Sequence, residues 1–98
     1  MASYITRVEL HSAVYSDYEN LHREMAAAGF RRVIKGDDGI WYQLPLAEYS
    51  CETTFTINQV HAAADSAASR TGKSHAVLVS EYVRCQWSGL ARAAAQTA

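Results

Sequence analysis

The sequence has too few cysteines for a disulfide scaffold, no surplus of positive charge, and no apolar run near the ~20 residues that span a bilayer. Its two cysteines, Cys51 and Cys85, form no C-x-x-C pair. The opening Met1–Leu10 stretch lacks the basic and apolar regions of a secretory leader. Reduced cysteines of ordinary strand type and a cytoplasmic location are therefore expected. Nine Lys+Arg against ten Asp+Glu leave a net charge of −1. That balance excludes general cationic adhesion to nucleic acid and leaves room only for a local basic patch. Metal-ligand spacing is also missing. His22 and His61 fall on different helices, His75 opens a strand, and Asp37-Asp38 lacks the spaced acids of a calcium loop. No metal or other cofactor is expected.

What is present is enough for one packed domain. The chain has 98 residues, 49% hydrophobic and 19% charged, with no internal repeat and no linker. Residues 1–90 are expected to form the domain, and the alanine-rich stretch 91–98 to be a frayed tail.

Residues 3–11 alternate as a strand, with Tyr4, Thr6, Val8 and Leu10 on one face and Ile5, Arg7, Glu9 and His11 on the other. Ser16-x-x-Glu19 reads as a capping box opening a helix. Its apolar stripe is Tyr18, Leu21, Met25 and Ala28, and Gly29 ends it. Residues 30–35 form a strand, Gly36-Asp37-Asp38-Gly39 a turn, and residues 40–44 a returning strand. Pro45 cannot donate to a ladder, so the chain must bulge or run along an edge there before continuing through residues 49–55. Thr56-x-x-Gln59 caps a second helix with the small face Val60, Ala64, Ala67 and Thr71, ended by Gly72. Residues 75–83 are the most strand-like run, and Arg84–Leu90 reads as an optional extra strand.

The order β-α-β-β-α-β is that of a ferredoxin-like α+β sandwich, an antiparallel sheet with both helices on one face. Val8, Leu10, Phe30, Ile34, Val77 and Val79 are its expected core. The open face then carries Ile5, Arg7, Glu9 and His11, with Arg31, Val33 and Lys35, and Ala76, Leu78, Ser80 and Tyr82. The strand after Pro45 has no assignable phase. Such a mixed face suits a dimer interface or a nucleic-acid platform. A homodimer through sheet edges or open faces is expected, with Arg84–Leu90 a strand to add to a partner's sheet.

The opening Ser3–Leu10 strand, the Tyr18–Met25 helix with its Gly29-Phe30 exit, Asp37-Asp38-Gly39-Ile40, Gln43-Leu44 and Thr53–Thr56 together resemble the GhoS family of small antitoxins. That family was formerly a domain of unknown function and is itself similar to the small CRISPR-associated nuclease of ferredoxin-like fold. The resemblance covers residues 3–90 through scattered apolar and turn positions. It implies a sequence-selective endoribonuclease that silences a membrane-damaging toxin by cutting its messenger RNA. It also implies catalysis by basic residues of the first helix, here His22 and Arg23. The sequence departs from the family in an acid-rich first helix and an alanine-rich second one.

The residues themselves nominate a further group. His11, Glu9 and Arg7 on one strand face match a general acid/base, its orienting carboxylate and a phosphate clamp, the parts metal-free RNA cleavage needs. A solvated ion pair worth under ~1 kcal/mol would use the same residues. Arg31, Arg32 and Lys35, with Arg7, form the candidate RNA track, and charged-edge protection against aggregation would also place cations there. Trp41, Tyr42 and Tyr82 are candidates for stacking on bases or for strand packing. A non-catalytic dimeric RNA- or protein-binding module stands as the alternative to an endoribonuclease.

Overall fold

The computed structural model of the chain describes residues 1–93. Strand β1 (Ala2–Leu10) alternates as its sequence requires: Tyr4, Thr6, Val8 and Leu10 are buried, while Arg7 and Glu9 are exposed on the opposite face. Helix α1 (Tyr15–Ala27) begins earlier than the Ser16 box predicts. Val14 is its N-cap, and the Asp17 carboxylate accepts a 2.9 Å hydrogen bond from the Val14 amide. An ionised acceptor one turn into the helix binds that amide more strongly than a hydroxyl would and complements the positive end of the dipole. The C-terminus is as expected. Gly29 takes φ +97°, which lets the Phe30 amide reach back to the Met25 carbonyl and the Gly29 amide to that of Ala26.

Strands β2 (Val33–Lys35) and β3 (Trp41–Gln43) form a short antiparallel hairpin around the Gly36–Gly39 turn. Strand β4 (Glu48–Thr53) does not extend β3 across Pro45; it leaves the hairpin and pairs with β1. Helix α2 (Ile57–Ser69) starts at the predicted box: the Thr56 hydroxyl accepts from the Gln59 amide at 3.2 Å, and the Gln59 side chain accepts from the Thr56 amide at 2.9 Å. Its buried stripe is Val60, Ala64, Ala67 and Ala68, with Ala68 in the place predicted for Thr71. Strand β5 (His75–Tyr82) closes the sheet.

The main sheet has the order β4-β1-β5, antiparallel throughout. Arg31 and Ser50 exchange two 2.8 Å backbone bonds, which attaches the β2–β3 hairpin to the outer side of β4. This is the ferredoxin-like arrangement, with a hairpin in the place of one outer strand. The core joins Leu21 and Met25 of α1, Val60 and the buried alanines of α2, and Tyr4, Val8, Leu10, Tyr49 and Cys51 from the sheet. Burying a Leu21 or Met25 side chain is worth about 2–3 kcal/mol. Alanines on α2 let the helix sit close to the sheet. Val33, assigned by phase to the open face, is buried instead, where the hairpin docks on β4 and the Ser50 hydroxyl donates to the Val33 carbonyl at 2.6 Å.

The extra strand predicted at Arg84–Leu90 is absent; that segment is irregular. The chain pairs further on, where Ala91 accepts from the Gln43 amide at 2.8 Å and the Ala93 amide donates to Trp41 at 2.9 Å. Residues 91–93, which composition placed in a frayed tail, thus line the outer edge of β3, and 94–98 lie outside the described residues. Cys51 is buried, Cys85 is exposed, and both are free thiols. Among the described residues no helix is long and apolar enough to cross a membrane.

Candidate functional site

The sheet separates the nominated residues into two groups. On the open face stand Arg7, Glu9, His11, Arg31 and Lys35; on the helix side stand His22, Arg23 and Arg32.

On the helix side, Arg32 is fixed by backbone. Its guanidinium donates to the carbonyls of Leu44, Pro45 and Glu48 at 2.9, 3.0 and 3.1 Å. These three carbonyls flank and include the turn at Pro45, so Arg32 ties together the crossing from β3 to β4. The same guanidinium lies 5.6 Å from the Tyr49 ring centre. His22, from α1, bridges the two: Nδ1 is 2.6 Å from the Tyr49 hydroxyl, and Nε2 accepts from Arg32 Nε at 3.4 Å. That acceptor role puts the single proton of the neutral ring on Nδ1. Burial, then the neighbouring Arg32 charge, lowers the His22 pKa from 6.5 to about 4. Burial pushes the Tyr49 phenol well above its ordinary value. His22 is therefore a neutral histidine with both nitrogens engaged inside the protein. Arg23, one residue on, is exposed and among the described residues bonds only its neighbour Asn20. Among the described residues His22 and Arg23 do not meet as an acid/base pair.

On the open face, Glu9 Oε1 and His11 Nε2 are 3.9 Å apart, both exposed, and His11 Nδ1 is 3.2 Å from the Ser74 hydroxyl. Arg7 lies on the same face two residues before Glu9 and pairs with Glu48 across the β1–β4 ladder at 3.6 Å. Arg31 reaches Glu52 at 3.8 Å and stacks over Trp41, 5.2 Å from the ring centre, while Lys35 approaches the same ring at 6.0 Å. Trp41 is thus flanked by two cations. The β4 carboxylates, which have no phase in the sequence, partner two of the three open-face cations. The pairing of β1 with β4 is what brings Glu48 to Arg7, and no local signal announces it.

A groove of about 990 Å³ lies between the hairpin and residues 82–87. Tyr42 and Trp87 meet edge to face in its wall at 5.5 Å, and the Tyr42 hydroxyl donates to Asp38 at 2.8 Å. The bond to the Ile40 amide, then that to Tyr42, holds the Asp38 carboxyl below its usual range, so the groove carries a fixed negative charge. Among the described residues no cluster of His, Cys, Asp and Glu could hold a metal ion. No family model matches the chain, and no curated protein does either.

Proposed function

We propose that the protein is a non-catalytic RNA-binding module of ferredoxin-like fold that works through the open sheet face. The observation that carries this reading is Trp41 held between Arg31 and Lys35 at 5.2 and 6.0 Å. An indole flanked by cations can stack on an unpaired base while the cations meet the adjoining phosphates. Arg7 extends the line of positive charge on the same face. Glu48 and Glu52 offset part of it, which favours modest affinity with strong salt dependence. For two to three phosphates, log K falls against log salt with a slope of about −2 on single strands. A gel-shift titration of mixed-sequence RNA tests this. Wild type shifts at low salt, and Trp41→Ala abolishes the shift; an unchanged shift in Trp41→Ala refutes the reading.

A second reading, a GhoS-like antitoxin endoribonuclease, is supported by the resemblance and by the Glu9–His11 contact beside Arg7. In that chemistry His11 takes the 2′-hydroxyl proton as that oxygen attacks the adjoining phosphorus, Glu9 orients the imidazole, and Arg7 stabilises the charge on the phosphorane. The P–O5′ bond then breaks with the His11 imidazolium returning the proton to the leaving 5′-oxygen, which leaves a 2′,3′-cyclic phosphate. Incubation with RNA in a chelator separates the two readings. Cleavage that His11→Ala removes selects the enzyme, and RNA that binds without being cut selects the module.

A further inference from the structure

The two lateral edges of this sheet are treated differently. At the β3 edge the chain returns and covers the strand with residues 91–93, through bonds of 2.8 and 2.9 Å. At the opposite edge β5 pairs with β1 on one side, and among the described residues nothing pairs with its other side. Edge strands left open are normally shortened, bulged, or guarded by lysine or proline. β5 is neither short nor bulged: His75–Tyr82 is eight residues long, pairs with β1 without a bulge, contains no lysine, proline or glycine, and carries its charged residues, His75 and Glu81, only near its two ends. At its centre Leu78 is 63% exposed, on the open face.

A sequence that leaves such an edge open must suit whatever joins it, and β5 suits itself. A two-fold axis normal to the sheet pairs β5 with β5 of a second copy antiparallel, and opposed residues then share a face. Centring the axis on Leu78 sets Leu78 against Leu78, Ala76 against Ser80 and Val77 against Val79. It also sets His75 against Glu81 of the second copy. Both His75 ring nitrogens already face acceptors of the same chain, Asp65 at 2.8 Å and the Lys73 carbonyl at 3.0 Å, which favours the cation but leaves no N–H for Glu81, so the match is one of charge alone. Those contacts raise its pKa. Moving the axis to Val79 would set Val77 against a Glu81 carboxylate, and moving it to Val77 would set His75 against Val79 and leave Glu81 opposite Lys73, which lies outside the strand and is paired with Asp17 at 3.7 Å. The Leu78 register alone matches apolar with apolar and cation with carboxylate within the strand.

We propose that β5 is the homodimer edge of this protein, pairing antiparallel with β5 of a second copy about Leu78. The two sheets become one continuous sheet, and the Arg31–Trp41–Lys35 clusters stand at its far ends. This goes beyond the RNA-binding reading, uses the sheet edge opposite the Trp41 cluster, and is tested without RNA.

The test is light scattering on the intact protein at tens of micromolar, with circular dichroism melts to verify folding. Wild type is expected at twice the 10.8 kDa chain mass. Leu78→Lys opposes two like charges at the axis and is expected to run as a monomer. An equimolar mixture of Leu78→Lys with Leu78→Glu is expected to recover the dimer mass. Glu81→Lys, an exposed change that opposes His75, is expected to weaken the dimer several-fold. A monomeric wild type, an undiminished Leu78→Lys dimer, or a mixture that stays monomeric overturns the proposal.

Discussion

Acid should destabilise this protein through His22 before its carboxylates titrate. In the folded state His22 is held neutral to about pH 4, while the same side chain in an unfolded chain titrates near 6.5. Between those values the unfolded state binds a proton that the folded state refuses, so stability rises with pH across the window and falls as pH drops through it. At 1.36 kcal/mol per pKa unit the full shift corresponds to about 3 kcal/mol. The ring is only partly buried, and screening by solvent reduces the expected loss to about 1–2 kcal/mol. The variant that isolates the effect is His22→Gln, which keeps a hydrogen-bonding side chain beside Tyr49 and cannot titrate. Urea unfolding at pH 7 and pH 4.5 is measured for both proteins at constant ionic strength. Wild type should lose about 1–2 kcal/mol more than the variant between the two pH values. His75 shifts in the opposite direction, through the Lys73 carbonyl and Asp65, and contributes equally to both proteins. Equal losses in wild type and His22→Gln would refute the argument, as would a proton resonance of His22 that titrates near pH 6.5.

Two further substitutions test the same packing. Arg32→Lys replaces a planar fork bonded to three carbonyls by a point charge that cannot reach them all; it should cost about 1–3 kcal/mol and raise amide exchange at residues 44–48, and a neutral result would refute the role of Arg32 at the Pro45 crossing. Thr6, fully buried on β1, has a hydroxyl with no partner among the described residues, so Thr6→Val should stabilise by about 1 kcal/mol in thermal unfolding, and destabilisation would show that the hydroxyl is satisfied in solution.

The candidate site was legible in residue type and only partly in grouping. Glu9, His11 and Arg7 share a face as expected because strand alternation is a local property, but only Glu9 and His11 meet, while Arg7 turns to Glu48. His22 was nominated for catalysis through the resemblance and Arg32 for the RNA track, but each is engaged inside the protein with groups brought by other elements, Tyr49 from β4 and the carbonyls around Pro45. Twenty-seven residues separate His22 from Tyr49, and nothing in their local patterns links them. Trp41 was visible as an aromatic candidate. Its two flanking cations depend on Arg31 bridging to Ser50, a pairing set by how the hairpin docks on β4.

The sequence by itself determined the alternation of strands and helices apart from the break at Pro45, the buried face of β1, the stop of α1 at Gly29 and the start of α2 at Thr56. Each follows from interactions within a few residues: the two-residue period of a strand, a positive φ that glycine permits, a hydroxyl and an amide three positions apart. Tertiary structure alone decided that β3 and β4 part at Pro45, that Val33 is buried, that residues 91–93 rather than 84–90 pair with the hairpin, and that the nominated residues stand on opposite sides of the sheet. These depend on which strand edges meet, and backbone hydrogen bonds are nearly indifferent to side-chain identity. The choice among edges is made by the summed packing of both helices against one face, a quantity no short stretch of sequence contains.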